Sequence, residues 1–163
     1  EGMRLVKEFL PRATANGQDV EARQHMLVAS SMGAAAFQRG LGAIHAISHT
    51  LGALYDSHHG LLNAIVMPYV MVANRSAIEP EMERMARYLD LPKPGFEGVL
   101  EWVLSLREEL GIPHTLSEIG IDDAQAETVG KMSAKDVAGT TNPVKYDPEQ
   151  YQQLFLNALR GTL

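Results

Sequence analysis

The sequence has 163 residues, 45% of them apolar and 21% charged, with no cysteine. That length supports one domain with a real core, and a formal net charge of −6 offers no basic surface to nucleic acid or an anionic membrane. Lack of cysteine excludes disulfides, thiolate metal ligands and cysteine nucleophiles, so any metal chemistry falls to His, Asp and Glu.

In chain order, Met3, Val6, Phe9 and Leu10 fall on one side of a helix that starts with the first residues. No capping residue precedes it and no Met stands first, so the chain reads as a piece of something longer. Gly17-Gln18-Asp19 ends that helix, and Asp19 is placed to cap a second one over about residues 20–38. Its Met32-Gly33-Ala34-Ala35-Ala36 stretch is small enough to let a neighbouring helix or a ligand come close. Gly40 and Gly42 break it, a third helix covers about Ala43–Tyr55, and Asp56-Ser57-His58-His59-Gly60 reads as a turn.

Residues 61–74 form the most hydrophobic run, in which Pro68 predicts a kink or a restart. The run is shorter than the ~20 residues a bilayer requires, so it reads as the central core helix. Residues 80–89 predict a separate amphipathic helix with Met82, Met85, Ala86 and Leu89 inward, and residues 96–110 another carrying Trp102 as a buried anchor. Thr115-Leu116-Ser117-Glu118 predicts a capped short turn, and Asp122 or Asp123 a cap for the helix that follows. Residues 138–146 are irregular, and Asp147-Pro148-Glu149 opens a last helix to about Arg160. With no period-2 strand and no repeat, the fold class is all-α, a single helical domain over 1–163.

Four of the six histidines, His45, His49, His58 and His59, lie within fifteen residues. His45 and His49 are four apart on a predicted helix, so both project from one face. His59 then folds back over them from the turn, and imidazole suits iron or zinc. On spacing alone, a metal site and ordinary surface or core histidines are both open. A His-Glu-x-x-His zinc motif is excluded, because Ala46 follows His45. His25 and His114 read as structural or solvated, Asp56 as a helix-ending residue, and Met26, Met32, Met67, Met71, Met82 and Met85 as core filler.

The run from Gly40 through Gly42, His45, His49, Gly52 and Tyr55 to Gly60 resembles the signature of the iron-containing (group III) alcohol dehydrogenases. So do Asn63-Ala64-Ile65-Val66-Met67-Pro68 and the late Thr141-Asn142-Pro143. The likeness covers essentially the whole chain and corresponds to the C-terminal helical domain of that family. It implies an oxidoreductase that exchanges hydride between alcohols and NAD or NADP, with one iron or zinc ion held by one Asp and three His. Carried over by motif, His45 and His59 are two of the metal ligands, His49 is the unliganded proton-relay candidate, and His58 is a neighbour. The remaining Asp and His, and the glycine-rich dinucleotide-binding domain, belong to sequence upstream of Glu1. The isolated chain is therefore expected to be inactive and to hold metal weakly. Maleylacetate-reductase-like and glycerol-dehydrogenase-like relatives stay open, as does a non-catalytic helical module binding metal or a partner. The implied partner is a small alcohol or aldehyde, with neither membrane nor nucleic acid. A homo-oligomer is compatible, and a cysteine-free chain suits the cytoplasm.

Overall fold

The computed structural model describes residues 1–163 as seven α-helices and three 3-10 turns, with no strand. The helices are α1 (Gly2–Ala15), α2 (Val20–Ala36), α3 (Ala43–Tyr55), α4 (His59–Tyr88), α5 (Gly95–Glu109), α6 (Ala126–Ser133) and α7 (Pro148–Arg160). The all-α reading holds. Where a boundary is written locally in the sequence, the structure follows it. Asp19 accepts from the Ala22 amide at the start of α2. Asp147 and Gln150 form a reciprocal capping box on α7, with Pro148 in its first turn and left-handed Gly161 closing it.

Two boundaries differ from expectation. Residues 61–74 and 80–89 are not separate helices; α4 runs unbroken for 30 residues through Pro68 and Pro80. Each proline removes one backbone hydrogen bond. Met67, Met71, Met82 and Met85 nevertheless pack with Ala86, Val99 and Val103 in one cluster, so α5 grips the helix on both sides of Pro80. Neither Asp122 nor Asp123 is the N-cap of α6, which starts at Ala126 after Gln125; Asp122 instead accepts from the Ala124 amide in the preceding turn. Trp102 is half-buried rather than an enclosed anchor. It lines an apolar groove of about 200 Å³ with Met3, Val6, Leu10 and Met67.

The main core lies where α3, α4, α6 and α7 meet, around Ile47, Leu51, Leu62, Ile65, Val129 and Phe155. By length and composition α4 could cross a membrane, yet Leu62, Ile65, Val66 and Val70 are buried in this core, the position of a central helix. A smaller cluster of Leu5, Phe9, Ala22 and Ala29 joins α1 to α2. The small-residue end of α2 is exposed, and Gly33 has no neighbour within 4 Å of a Cβ placed there.

One long-range device sets the start of α3. Gly42 offers that helix no side-chain cap. The buried Asn142 supplies it from 99 residues away, accepting the Ala43 N–H at 3.0 Å. Asn142 also exchanges hydrogen bonds with buried Asn74, at 3.1 and 2.9 Å, and donates to the Val144 carbonyl. Beside it, Thr141 donates to the Leu41 carbonyl and packs against Gly40. Gly40 has φ of +101°, and a Cβ there would sit 2.5 Å from the Thr141 hydroxyl, so only glycine fits.

Candidate metal centre

The site is built on the junction of α3 and α4. His45 and His49 stand one turn apart on α3, with ring centroids 5.8 Å apart. Asp56 ends α3 in the left-handed conformation at φ +51°, so helix termination is its role. His59 is not in a turn, as the Gly60 break suggests, but is the first residue of α4. The reason is His58, whose Nδ1 accepts the Leu61 N–H and caps the helix. That bond occupies the His58 ring in a structural task.

The His59 ring lies 5.4 Å from that of His45 and stacks on that of His49 at 5.2 Å and 19°. The structure thus brings together the three histidines singled out in the sequence. Three or more His, Asp or Glu side chains arranged to hold a metal ion are not found anywhere in the chain. His25 stacks on Phe9 at 4.0 Å, and the carbonyl of exposed His114 accepts from Tyr69 and Arg107; both are structural. The largest cleft, of about 640 Å³, lies elsewhere, between α5 and the segment around His114 and Leu163. Its Glu97 and Glu101 pair with Arg75 and Lys93, without a convergent set of donors.

Four further residues complete the site. Asn63, one turn after His59, directs its side-chain nitrogen at both rings, 3.3 Å from His45 Nε2 and 3.0 Å from His59 Nε2. Buried Ser48 donates to Asn63 Oδ1 at 2.6 Å and lies 3.4 Å from His59 Nδ1. Asp136 sits 3.1 Å from His49 Nδ1 while its other oxygen accepts the Ala138 amide. Phe37, exposed, meets the His45 ring edge-on at 6.0 Å. An i, i+4 search from His59 finds Asn63 once His59 is read as helical; Asp136, 87 residues from His49, leaves no local signal.

Burial holds the His45 imidazole below the usual histidine range, the His59 and His49 rings add to the effect, and Asp136 opposes it. The neutral ring is the form that ligates a metal. Two imidazoles whose Nε2 atoms both face the Asn63 side-chain nitrogen are a donor pair of the kind that suits iron or zinc.

The profile of the Fe-containing alcohol dehydrogenase family, C-terminal, matches residues 1–159. The chain belongs to that family. Among curated relatives, an NAD-dependent methanol dehydrogenase of Bacillus methanolicus is 33% identical. That match covers 98% of this chain and 44% of the relative. A 4-hydroxybutyrate dehydrogenase of Cupriavidus necator is 36% identical over 90% of this chain and 40% of its own. A crystal structure of 1,3-propanediol oxidoreductase superposes with a TM-score of 0.92 at 28% identity, over 97% of this chain and 43% of that one. The iron-containing alcohol dehydrogenase from Thermococcus thioreducens gives 0.87 at 32%, over 98% and 42%. The chain therefore spans roughly two fifths of the length of these relatives.

Proposed function

We propose that this chain is the metal-binding helical part of an NAD(P)-linked alcohol dehydrogenase. In this reading His45 and His59 are ligands to one iron or zinc ion, and His49 relays a proton. The observation that carries it is the aim of His45 Nε2 and His59 Nε2 at a single point, both within 3.3 Å of one Asn63 atom. When bound, the ion supplies a Lewis acid for the substrate oxygen.

The chain's own groups do the rest. His49 stands beside both ligand rings on the exposed side, and Asp136 orients its ring through Nδ1, leaving Nε2 free to exchange a proton with an alcohol oxygen or water. Phe37 gives an apolar flank. Nicotinamide binding, the other ligands and the hydride path belong to the rest of the protein, and 1–163 is one helical domain of it. The relatives are named for methanol, 4-hydroxybutyrate and 1,3-propanediol, which supports a short alcohol or diol as substrate. The composition fits a cytoplasmic protein.

Calorimetric titration of the chain with zinc, beside His45→Ala and His59→Ala, tests the assignment. Weak binding is expected, lost in both variants and weakened by acid, because protons compete with the metal for an imidazole nitrogen. Binding unchanged in both variants would place the metal elsewhere. No dehydrogenase turnover is expected from the chain alone with metal, either coenzyme and short alcohols.

A further inference from the structure

We propose that Asn63 is the positioning residue of the two ligand histidines, a reversible amide that holds their lone pairs on one point until a cation takes it. The proposal rests on the metal reading above. The hydrogen-bond distances set the orientation of the amide. The Ser48 Oγ to Asn63 Oδ1 distance of 2.6 Å lies within the O–H···O range and is short for N–H···O. The oxygen of the amide therefore faces Ser48, and its NH2 group faces the imidazoles.

An NH2 group has two protons and no acceptor site to offer. At 3.3 and 3.0 Å it donates one proton to His45 Nε2 and the other to His59 Nε2. Both rings must then carry their proton on Nδ1. For His59 this is self-consistent, because Ser48 Oγ, its own proton spent on Asn63, is free to accept from His59 Nδ1 at 3.4 Å. His59, Ser48 and Asn63 form a closed donor-to-acceptor ring. Both ligands are thus held in the tautomer in which Nε2 carries a lone pair.

The same cluster has a second arrangement. With both Nε2 lone pairs committed to a cation, the NH2 group has no acceptors there, and the amide turns over. Its nitrogen then donates to Ser48 Oγ, and Ser48 redirects its own proton to the His45 carbonyl, which already lies 3.2 Å away. Ser48 keeps an accepted and a donated bond in either arrangement, and Asn63 is only half-buried, so water can meet the turned amide's oxygen and second proton.

The test uses the isotopically labelled 163-residue chain, without metal, at a pH where its histidines are neutral. Long-range proton–nitrogen correlation reads the tautomer of each ring. The expected result is Nδ1–H for both His45 and His59, shifting toward Nε2–H in Asn63→Ala. Nε2–H in either ring of the unmodified chain overturns the proposal, because it requires the opposite amide orientation. So does an unchanged tautomer in a folded Asn63→Ala. In a zinc titration, the Asn63 amide resonances of the unmodified chain are expected to move on saturation. Unmoved resonances refute the reversal. Zinc binding indifferent to His45→Ala and His59→Ala overturns the metal reading instead, and the tautomer measurement, made without metal, distinguishes the two failures.

Discussion

Replacing Asn142 by alanine is expected to be among the most damaging single polar changes in the chain. The side chain makes four hydrogen bonds, two accepted and two donated, in a place where its own exposure is 5%. Alanine leaves the Ala43 N–H, one Asn74 amide proton and the Val144 carbonyl without partners. Ala43 is fully buried and Asn74 nearly so. A stranded buried polar group costs about 1–3 kcal/mol. Two to three such groups, partly relieved by water entering the space, come to about 3–5 kcal/mol. Against a total stability of about 5–15 kcal/mol, that is a large fraction, and it lowers Tm by roughly 10 °C for a chain of this size. Urea unfolding followed by circular dichroism measures the loss. Amide exchange in the first turn of α3 shows whether it falls where the cap was. Tyr146→Phe is the internal comparison. It removes only one bond to Asn74 Oδ1, which still accepts from Asn142, and is expected to cost about 0.5–1.5 kcal/mol. If Asn142→Ala costs no more than Tyr146→Phe, or leaves α3 exchange unchanged, the capping argument fails.

Gly33→Ala and Gly130→Ala are expected to have opposite signs in thermal unfolding. The first meets open space and gains about 0.5–1 kcal/mol of helix propensity. The second would put a Cβ 2.4 Å from the Pro148 carbonyl of α7 and is expected to lose about 1–2 kcal/mol net. Leu62→Ala, at a site with no exposure, is expected to cost about 2–5 kcal/mol in urea unfolding. The Asp19 carboxyl is held below its ordinary value, first by the Ala22 amide and then by Arg12. Its contribution is thus fully present above the ordinary carboxylate range, about pH 4, and lost as pH falls through the lowered value. Asp19→Asn, which keeps a capping oxygen, is expected to flatten that part of the acid-unfolding curve; an unchanged curve counts against the assignment.

What could be read in advance follows the range of the interactions. Helices α2 and α7 carry their caps in adjacent residues, and their starts match expectation. The His45–His49 pair is a local spacing, and it appears as one face of α3. The continuity of α4 was hidden because Pro80 is a strong local stop, overruled by packing against α5 from residues on both sides of it. His59 was misplaced because a histidine cap at His58 falls outside the usual capping residues. Asp136 and Asn142 contact the site from 87 and 99 residues away, a distance no spacing rule reaches. The Thr141-Asn142-Pro143 motif could be matched to a family, but its physical task, clasping the start of α3, emerges only from the fold.

The remote cap on α3 has a consequence in time. During synthesis at about 5–20 residues per second, 99 residues separate Ala43 from its cap, an interval of roughly 5–20 s. Over that interval the first turn of the histidine-bearing helix has no partner for its leading amide, and the loop to be closed grows with each residue added. The order of assembly is therefore set by chain position: α4 can lie against α3 early, while the opening turn of α3 is fastened only when the segment around Asn142 has left the ribosome. Protease protection of stalled chains whose C-terminal linkers hold residue 144 either inside or clear of the ribosome reads this directly, as a step in the resistance of residues 40–45 once the segment is clear. A nascent chain thus exposes His45 on a loosely held turn well before the cap that fastens it exists.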